Sequence, residues 1–369
     1  MEIMKDIKIL ISCHKQSMVP DSKIMLPIEV GADLRKKHIE GILQDNQGEN
    51  ISSKNKMYCE LTAQYWAWKN LDADYYGFFH YRRYLSFSDK KRPVDQWQNV
   101  IEESPDSNCL KKYNLEDDYI QKLVREYDLV LSEEKNVTKM PDKNPSVYEQ
   151  YKNGRSLNIK DIDLVHDIIE EKYPDYLDTF EKVMKGEKTC LCNMYIMKKE
   201  LFHEYMAWLF DILFEFEKRS DMSEYTVEGY RTPGHLAERL LTVFCWYTEK
   251  KKNLKVKKLQ TIVFLKTDQK MTLAQAKKTA PAFAENNVAI AVAANDYFIP
   301  YCATFLKSVA EHGNSKKNYD ILLLSQDVSD ANVKKMEKLL SAWENVSLRV
   351  IDPSVLIDQY TFHIRGHFS

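Results

Sequence analysis

The sequence lacks the long apolar runs, the net charge and the cysteine pattern that mark several broad classes of protein. No run approaches the about 18–20 apolar residues of a membrane-spanning helix, and the N-terminus has no apolar stretch typical of a signal peptide. The 53 Lys and Arg nearly balance the 55 Asp and Glu, whereas nucleic-acid-binding domains are usually strongly basic. The seven cysteines are scattered and odd in number, unlike a disulfide framework. These absences predict a soluble, cytoplasmic protein with reduced thiols and no nucleic-acid partner.

Short apolar runs alternate with amphipathic segments over the first two-thirds of the chain. The predicted strands are 7–12, 74–85, 127–132 and 190–197. The clearest helix has a wide apolar stripe over 201–216, and a second, 235–246, follows a Pro-Gly break. This alternation predicts an α/β domain around a mostly parallel sheet. Residues 88–160 are more polar, and we expect an insertion with acceptor-side loops there.

A second α/β pattern begins after a Lys-rich stretch. Strands are predicted at 288–293, 319–324 and 345–352, with helices between them. This is a partial Rossmann-like βαβαβ unit, about half of a nucleotide-binding sheet. The 369 residues are therefore expected to form a first domain over 1–250, a Lys-rich junction over 251–285 and a half-domain over 286–369. Clustered Lys at 250–278 either forms a solvated face or rests on anionic lipid.

A basic motif ends the strand predicted at 74–85. Arg82 and Arg83 are adjacent there, and guanidinium groups make bidentate hydrogen bonds to phosphate oxygens. Ligands of open α/β sheets bind at the carboxyl ends of strands. We therefore expect these arginines to bind a diphosphate in place of a metal. The alternative is that one arginine pairs with a local carboxylate while His80 is a core histidine.

Asp72 and Asp74 form an Asp-x-Asp pattern, which in many sites holds Mg²⁺ or Mn²⁺ through carboxylate oxygens. The pattern precedes its predicted strand instead of ending it, and Asp is common in turns between elements. We therefore expect no metal site, with these two carboxylates as the alternative if a divalent metal is used.

Two further segments carry polar groups next to predicted helices. Asn50, Ser52 and Asn55 lie in a loop before a helix and are candidates to bind a ribose, a base or a sugar; a simple capping loop is the alternative. Glu238 is the candidate general base, with His235 second. The alternative is that Glu238 and Arg239 are ordinary charged residues on the protein surface with no catalytic role.

Several segments together resemble the signature blocks of the bacterial family labelled domain of unknown function 4422. The blocks are 50–70, 74–85, 191–213 and 231–244. The resemblance spans about residues 7–247 and implies a GT-A type fold, a nucleotide-sugar donor and a role in capsule or exopolysaccharide synthesis. Within these blocks, His80 joins the catalytic candidates, and Tyr81 and Asn193 join the donor-binding candidates.

Residues 287–369 resemble the opening of glycosyltransferase family 8. In that family the first strand ends in a motif like Ala-Asp-Asp-x-Tyr that meets the nucleotide. Here the motif reads Ala294, Asn295, Asp296 and Tyr297, so one acid is replaced. The family's metal-binding Asp-x-Asp comes after the point where this chain ends. We expect a vestigial nucleotide site and a catalytically inactive unit.

The expected activity is transfer of a hexose from a nucleotide sugar to a surface polysaccharide or lipid-linked glycan. We expect the sugar to be carried by UDP, and galactofuranose is one option for that sugar. The protein is expected in the cytoplasm, where the inner face of the cell membrane is one option for its location. The alternative is a non-catalytic nucleotide-sugar-binding, glycan-binding or assembly protein of a polysaccharide machine. An enzyme needs the arginines and the carboxylate of Glu238, whereas a binding protein tolerates loss of that carboxylate.

Overall fold

Apolar strands and amphipathic helices build two separate units. The computed structural model describes residues 6–36, 38–267, 271–272 and 280–353. Contacts divide the chain into one unit over Met1–Thr267 and a second over Asp268–Ser369. Both units are α/β, and the expected mostly parallel central sheet is confirmed.

The first unit contains a ten-stranded sheet. The strands of this unit are β1 (Ile7–Cys13), β2 (Met25–Glu29), β3 (Leu43–Gln44), β4 (Tyr75–His80), β5 (Arg83–Leu85), β6 (Val100–Glu102), β7 (Leu129–Ser132), β8 (Lys135–Asn136), β9 (Lys188–Thr189), β10 (Tyr195–Lys198), β11 (Val256–Leu259) and β12 (Thr261–Phe264). The main path of the sheet runs in the order β11-β7-β10-β4-β1-β2-β3, and β5, β6 and β12 extend it. Strands β8 and β9 form a separate two-stranded sheet. Strand β1 is parallel to both β2 and β4, and β10 is antiparallel to β4 and β7.

Helices cover both faces of this sheet. They are α1 (Asn55–Tyr58), α2 (Leu61–Asn70), α3 (Ser107–Lys112), α4 (Asp117–Val124), α5 (Val147–Lys152), α6 (Ile159–Lys172), α7 (Leu177–Lys185), α8 (Lys199–Arg219) and α9 (Thr232–Lys252). Ile9 and Ile11 of β1 belong to one core and Leu10 to the other, as the two-residue period of a strand requires. Within the described part of the chain, the helices are all too short or too polar to cross a membrane.

The segment 74–85 is two strands and not one. Strand β4 ends at His80, the chain turns, and β5 returns antiparallel with His80 opposite Arg83. The amide of Tyr81 donates to the Ser12 carbonyl of β1 at 3.1 Å, which holds the turn against the end of the neighbouring strand. Arg82 therefore lies in the turn, and Arg83 begins the returning strand.

Two other predicted boundaries were wrong. Strand β10 begins at Tyr195 and not at Cys190, because Cys192 and Asn193 have φ angles of 79° and 47°, outside the extended region. The Pro-Gly pair is not a break but lies in the first turn of α9. Proline fits there because the first amides of a helix have no intrahelical acceptor.

The Lys-rich stretch predicted as a junction contributes two strands to the first sheet. Strands β11 and β12 pair with β7, β5 and β6. Leu259, Ile262 and Phe264 are at most 5% exposed, so the lysines around them are placed on strands anchored by buried apolar side chains. The region 88–160, expected to be a polar insertion with acceptor-side loops, contains the predicted strand as β7 and further helices and strands of this unit.

The second unit has the predicted βαβαβ order. Its elements are β13 (Met271–Thr272), β14 (Asn287–Ala293), α10 (Ile299–His312), β15 (Asn318–Leu324), α11 (Asp330–Leu340) and β16 (Val346–Asp352). The strands are parallel in the order β13-β16-β15-β14. Leu306 of α10 and Met336 of α11 share one core with Ile321 and Leu323 of the sheet.

A buried carboxylate connects the loops at the carboxyl end of β2. Asp45 is fully buried, and its oxygens accept hydrogen bonds from the amides of Gly31 and Ala32 and from the hydroxyls of Ser52 and Thr62, at 2.5–3.0 Å. Hydrogen bonds to an ionised group are stronger than neutral ones. This carboxylate therefore fixes the β2 loop, the turn before α1 and the start of α2 relative to one another.

Replacing Asp45 by Asn should destabilise the first unit. The amide nitrogen would face backbone amides and hydroxyl groups that now donate to a carboxylate oxygen, and we expect a loss of about 2–5 kcal/mol of unfolding free energy. Urea unfolding of the full chain measures it. The matched control is Asp33→Asn, an exposed acid in the same loop, with an expected change within about 0.5 kcal/mol. Equal unfolding midpoints for both variants would contradict the structural role of Asp45.

Candidate functional site

A cleft of about 590 Å³ opens at the carboxyl ends of β1 and β4. This is the edge of an open α/β sheet at which ligands bind, and its volume lies in the usual range for small-molecule sites. The lining residues come from both strand ends, from α1 and the turn after it, and from the loop before α9: Ser12, His14, Val30, Asn55, Lys56, Cys59, Glu60, His80, Tyr225, Thr226, Val227, Tyr230 and Arg231.

His80 enters the cleft as a neutral imidazole. Burial lowers its pKa to about 3, and the positive charges of Arg83, Arg82 and Arg231 act in the same direction. Its Nδ1 atom is buried without a hydrogen-bond partner among the described residues. At neutral pH the ring is therefore uncharged and can form hydrogen bonds at the cleft.

Arginine side chains concentrate positive charge at this end of the sheet. Arg82 is exposed, and its guanidinium lies 5.3 Å from the centre of the buried Tyr81 ring. Arg83 is partly buried and close enough to affect the pKa of the Cys192 thiol. The Nε of Arg231 donates to the Cys59 sulfur at 3.2 Å. In the described part of the chain, the arginines that form ion pairs are other ones. Of these three guanidinium groups, only that of Arg231 lines the cleft, while Arg82 and Arg83 lie near His80 beside it.

Glu60 is a carboxylic acid on the cleft wall that sequence reasoning did not single out. It directly precedes α2, and its Oε1 accepts a hydrogen bond from the Asn193 side chain at 2.8 Å. Burial raises its pKa, and the nearby charge of Glu238 raises it further, while the Asn193 hydrogen bond and Arg231 oppose this. The available signal was its position in the block 50–70, at the start of the segment that its apolar spacing predicts to be helical.

Glu238, the predicted base, is engaged inside the protein and does not line the cleft. Its Oε1 accepts from the Cys192 amide at 2.8 Å and its Oε2 from Arg239 at 2.7 Å. The Nδ1 of His235 is 4.0 Å from Oε2. Burial acts to raise the pKa of Glu238, but His235 and Arg239 outweigh it and hold the pKa below its usual value. The pair with Arg239 is buried, unlike the surface pattern considered as an alternative.

The polar loop before α1 serves mainly its own structure. Asn50 donates to the carbonyls of Asn46 and Gly48 and accepts from the Ser52 amide. Ser52 is fully buried on Asp45, so it has no surface for a ligand. Only Asn55 of the three predicted residues lines the cleft, and its Nδ2 donates to the Cys59 carbonyl at 2.7 Å.

The Asp-x-Asp pattern lies at the other end of β4. Asp72 pairs with Lys199 at 2.5 Å, and Asp74 accepts from the Asp6 amide at 2.7 Å. Both precede β4, whereas the cleft is at its carboxyl end. Among the described residues, the group of side chains close enough to share a metal ion is exposed on α6, comprising His166, Asp167 and Glu170.

The second-unit motif lies at the carboxyl end of β14. The Asn295 side chain accepts from the Phe298 amide at 3.1 Å. The Asp296 carboxylate accepts from the Ser329 amide at 2.7 Å and from the Asn332 side chain at 2.9 Å, which ties this end to the start of α11. Ala294 follows β14 directly, and Tyr297 is 76% exposed.

A family model described as Domain of unknown function (DUF4422) matches residues 8–252, which confirms the first resemblance. Among solved structures, the chain is similar to one titled as the apo structure of the WbbM bifunctional glycosyltransferase, with 34% identity and a TM-score of 0.69. The match covers 99% of this chain and 62% of that one, so the chain spans less than two-thirds of its length. This similarity confirms the expected GT-A-like fold. No curated protein matches the chain, and the family 8 resemblance stays a prediction.

The neutral state of His80 predicts a pH dependence of stability. The folded pKa is about 3 and the ordinary value 6.5, so the unfolded chain binds a proton over this range and stability is lost as the pH falls through it. Between about pH 7 and about pH 5 the loss is about 2 kcal/mol. His80→Gln should remove this part of the pH dependence, measured by urea unfolding at both pH values. His166→Gln on α6 is the matched control, and identical slopes for wild type and His80→Gln would contradict the assignment.

Proposed function

The chain belongs to the DUF4422 family, and from that premise we propose that it is a glycosyltransferase whose cleft binds a nucleotide sugar. The proposed reaction moves a hexose from a UDP-linked donor to a glycan acceptor, such as a surface polysaccharide or a lipid-linked oligosaccharide. Similarity to a glycosyltransferase structure at 34% identity supports the reaction class. The donor site is proposed at the carboxyl ends of β1 and β4 because sheets of this kind bind nucleotides at that edge.

The observation that carries the proposal is the group of arginines around His80 that form no ion pair with the described residues. When the bond between the anomeric carbon and the phosphate oxygen breaks, the nucleoside diphosphate leaves with its electrons and gains negative charge. Arg83 and Arg231 are proposed to stabilise that charge by bidentate hydrogen bonds, with Arg82 at the mouth. Fixed positive groups aimed at developing charge are a large contribution to catalysis. The proposed transfer therefore needs no divalent metal.

The loop before α9 supplies the aromatic side of the cleft. Tyr225 and Tyr230 line it, and the Tyr225 hydroxyl donates to buried Asp161 at 2.6 Å and accepts from Asn158 at 3.2 Å. A tyrosine ring fixed in this way offers a flat apolar face to a sugar or a base. Val227 of the same loop is 90% exposed and is proposed to contact the acceptor side.

The engagement of Glu238 favours the second candidate function, a protein that binds a nucleotide sugar without turning it over. A transferase needs a carboxylate that can accept a proton, and both oxygens of Glu238 already have donors. The two functions therefore differ in whether another carboxylate in the cleft can act as the base.

A donor screen tests the proposal. The purified chain is incubated with UDP-, GDP- and dTDP-sugars and a glycan acceptor, with and without EDTA, and nucleotide release is followed. We expect release from one UDP-sugar at a rate that EDTA does not change. Arg83→Ala and Arg231→Ala should each lower kcat/KM by at least about tenfold, the usual scale for a charged hydrogen bond in the transition state, whereas the exposed Arg155→Ala should not.

Three outcomes of the screen would count against parts of this proposal. Release that stops in EDTA would contradict the role of the arginines. Binding of a donor without release in the presence of acceptors would favour the binding protein. Absence of any nucleotide binding would contradict both functions of the cleft.

A further inference from the structure

One carboxylic acid lines the cleft in the described part of the chain, and it is Glu60. Its Oε1 is held by Asn193, while no other described side chain donates to it. The carboxyl group thus has a fixed orientation and retains the capacity to accept a proton at the cleft surface. A general base must lie within hydrogen-bond reach of the proton that it removes, and a residue that lines the cleft, as Glu60 does, can meet a hydroxyl bound there.

Glu60 on this wall and Glu238 behind it have opposite environments. The donors on Glu238 keep it ionised, and its negative charge in turn raises the pKa of Glu60. Two carboxyl groups whose environments push their pKa values apart commonly divide their roles, one as a fixed charge and one as the group that exchanges the proton. In this pair Glu238 is the fixed charge and Glu60 is the exchanging group.

We propose that Glu60 is the catalytic base of the transferase, an inference that rests on the proposed function. Its carboxylate removes the proton from the acceptor hydroxyl while that oxygen forms a bond to the anomeric carbon of the donor sugar. At the same time the bond from this carbon to the diphosphate breaks, and the electron pair leaves with the nucleoside diphosphate. The proton ends on Glu60 and later passes to solvent. A single displacement of this kind inverts the configuration at the anomeric carbon.

Asn193 is the positioning residue for this base. Its backbone is in the left-handed region, its side chain is 2% exposed, and its Nδ2 also donates to the Gly234 carbonyl at 3.2 Å. Gln64 donates to the Asn193 carbonyl at 3.2 Å and accepts from the Tyr195 hydroxyl at 2.8 Å. The hydrogen bond from Asn193 favours the charged form of Glu60, so it lowers the pKa of that carboxyl.

Several charged and titratable groups face Glu60 from the surrounding elements. Arg231 precedes α9 and Glu238 lies on it, Cys192 comes from the loop before β10, and Cys59 is the preceding residue. His80 and Lys56 complete the cleft near it. Burial raises the pKa of both thiols to about 11, so they stay neutral over the working range. The remaining charges on Glu60 come from Arg231 and Glu238.

The decisive experiment compares Glu60→Gln with wild type, using the donor found in the screen. Gln keeps an oxygen for Asn193 but cannot accept the proton. We expect kcat to fall by at least about 100-fold, the usual contribution of a general base, while the affinity for UDP measured by calorimetry stays within about twofold. The matched control is the exposed Glu224→Gln, for which both quantities should stay unchanged. The product of the wild-type reaction should have inverted configuration by NMR.

The pH profile separates a positioning role of Asn193 from a purely structural one. Because the Asn193 hydrogen bond lowers the pKa of Glu60, Asn193→Ala should move the acidic limb of kcat/KM to higher pH. A merely structural residue would lower the rate at every pH without moving the limb, and that result would overturn the role given to Asn193.

The failures of the two proposals are distinguishable. If wild type transfers the sugar and Glu60→Gln does so at a similar rate, or if the configuration is retained, the assignment of Glu60 is overturned and the glycosyltransferase function stands. If wild type binds donors but turns none over, the glycosyltransferase function is overturned and the assignment of Glu60 with it.

Discussion

The cleft depends on the carboxylate of Asp45, which is buried with donors on both oxygens. A buried charge persists only when hydrogen bonds replace its lost hydration, so each loop that supplies a donor must keep its place. The donors come from the β2 loop, the turn before α1 and helix α2. Gly31 must be glycine in this arrangement, since its φ is 68° and a Cβ would lie 2.6 Å from the Asn55 side chain. Asn55 and Glu60 reach the cleft from elements that this carboxylate holds.

Ion pairs within the protein decide which charged side chains at the sheet edge remain free to bind a ligand. Arg239, at 3% exposure, is committed to Glu238 and Gln150, whereas Arg82, Arg83 and Arg231 form no ion pair with the described carboxylates, although Glu60 and Glu228 lie close enough to Arg231 to affect its pKa. His80 lies within range of all three and is neutral. The edge therefore carries arginines that are not held in ion pairs, and in the proposed transferase they would stabilise the leaving diphosphate.

Much of the fold could be predicted from the sequence because its signals are local. The apolar stripe of 201–216 and the βαβαβ order of the second unit depend on periodicity within one segment, and both are present. The boundaries that were wrong depend on contacts made elsewhere. The chain turns at Tyr81 because its amide reaches Ser12, and β10 starts late because the Cys192 amide is turned toward Glu238. Strands β11 and β12 were hidden by their lysines, since only a few buried positions anchor them.

The candidate site was predicted only in part, because local sequence signals identify some of its residues and distant contacts decide the others. The sequence by itself determined the α/β class, the family resemblance and the basic motif after β4, because each follows from residues close together in the chain. Only the tertiary structure decided which polar residues serve the cleft. Glu60 directly precedes α2 and Glu238 lies inside α9, and nothing in the neighbouring sequence shows which of the two glutamates faces the cleft. Glu238 accepts hydrogen bonds from the Cys192 amide and from Arg239, whereas Glu60 accepts one from Asn193 and lines the open cleft. Except for Arg239, which directly follows Glu238, these partners come from distant parts of the chain, and they determine which carboxylate can take up a proton.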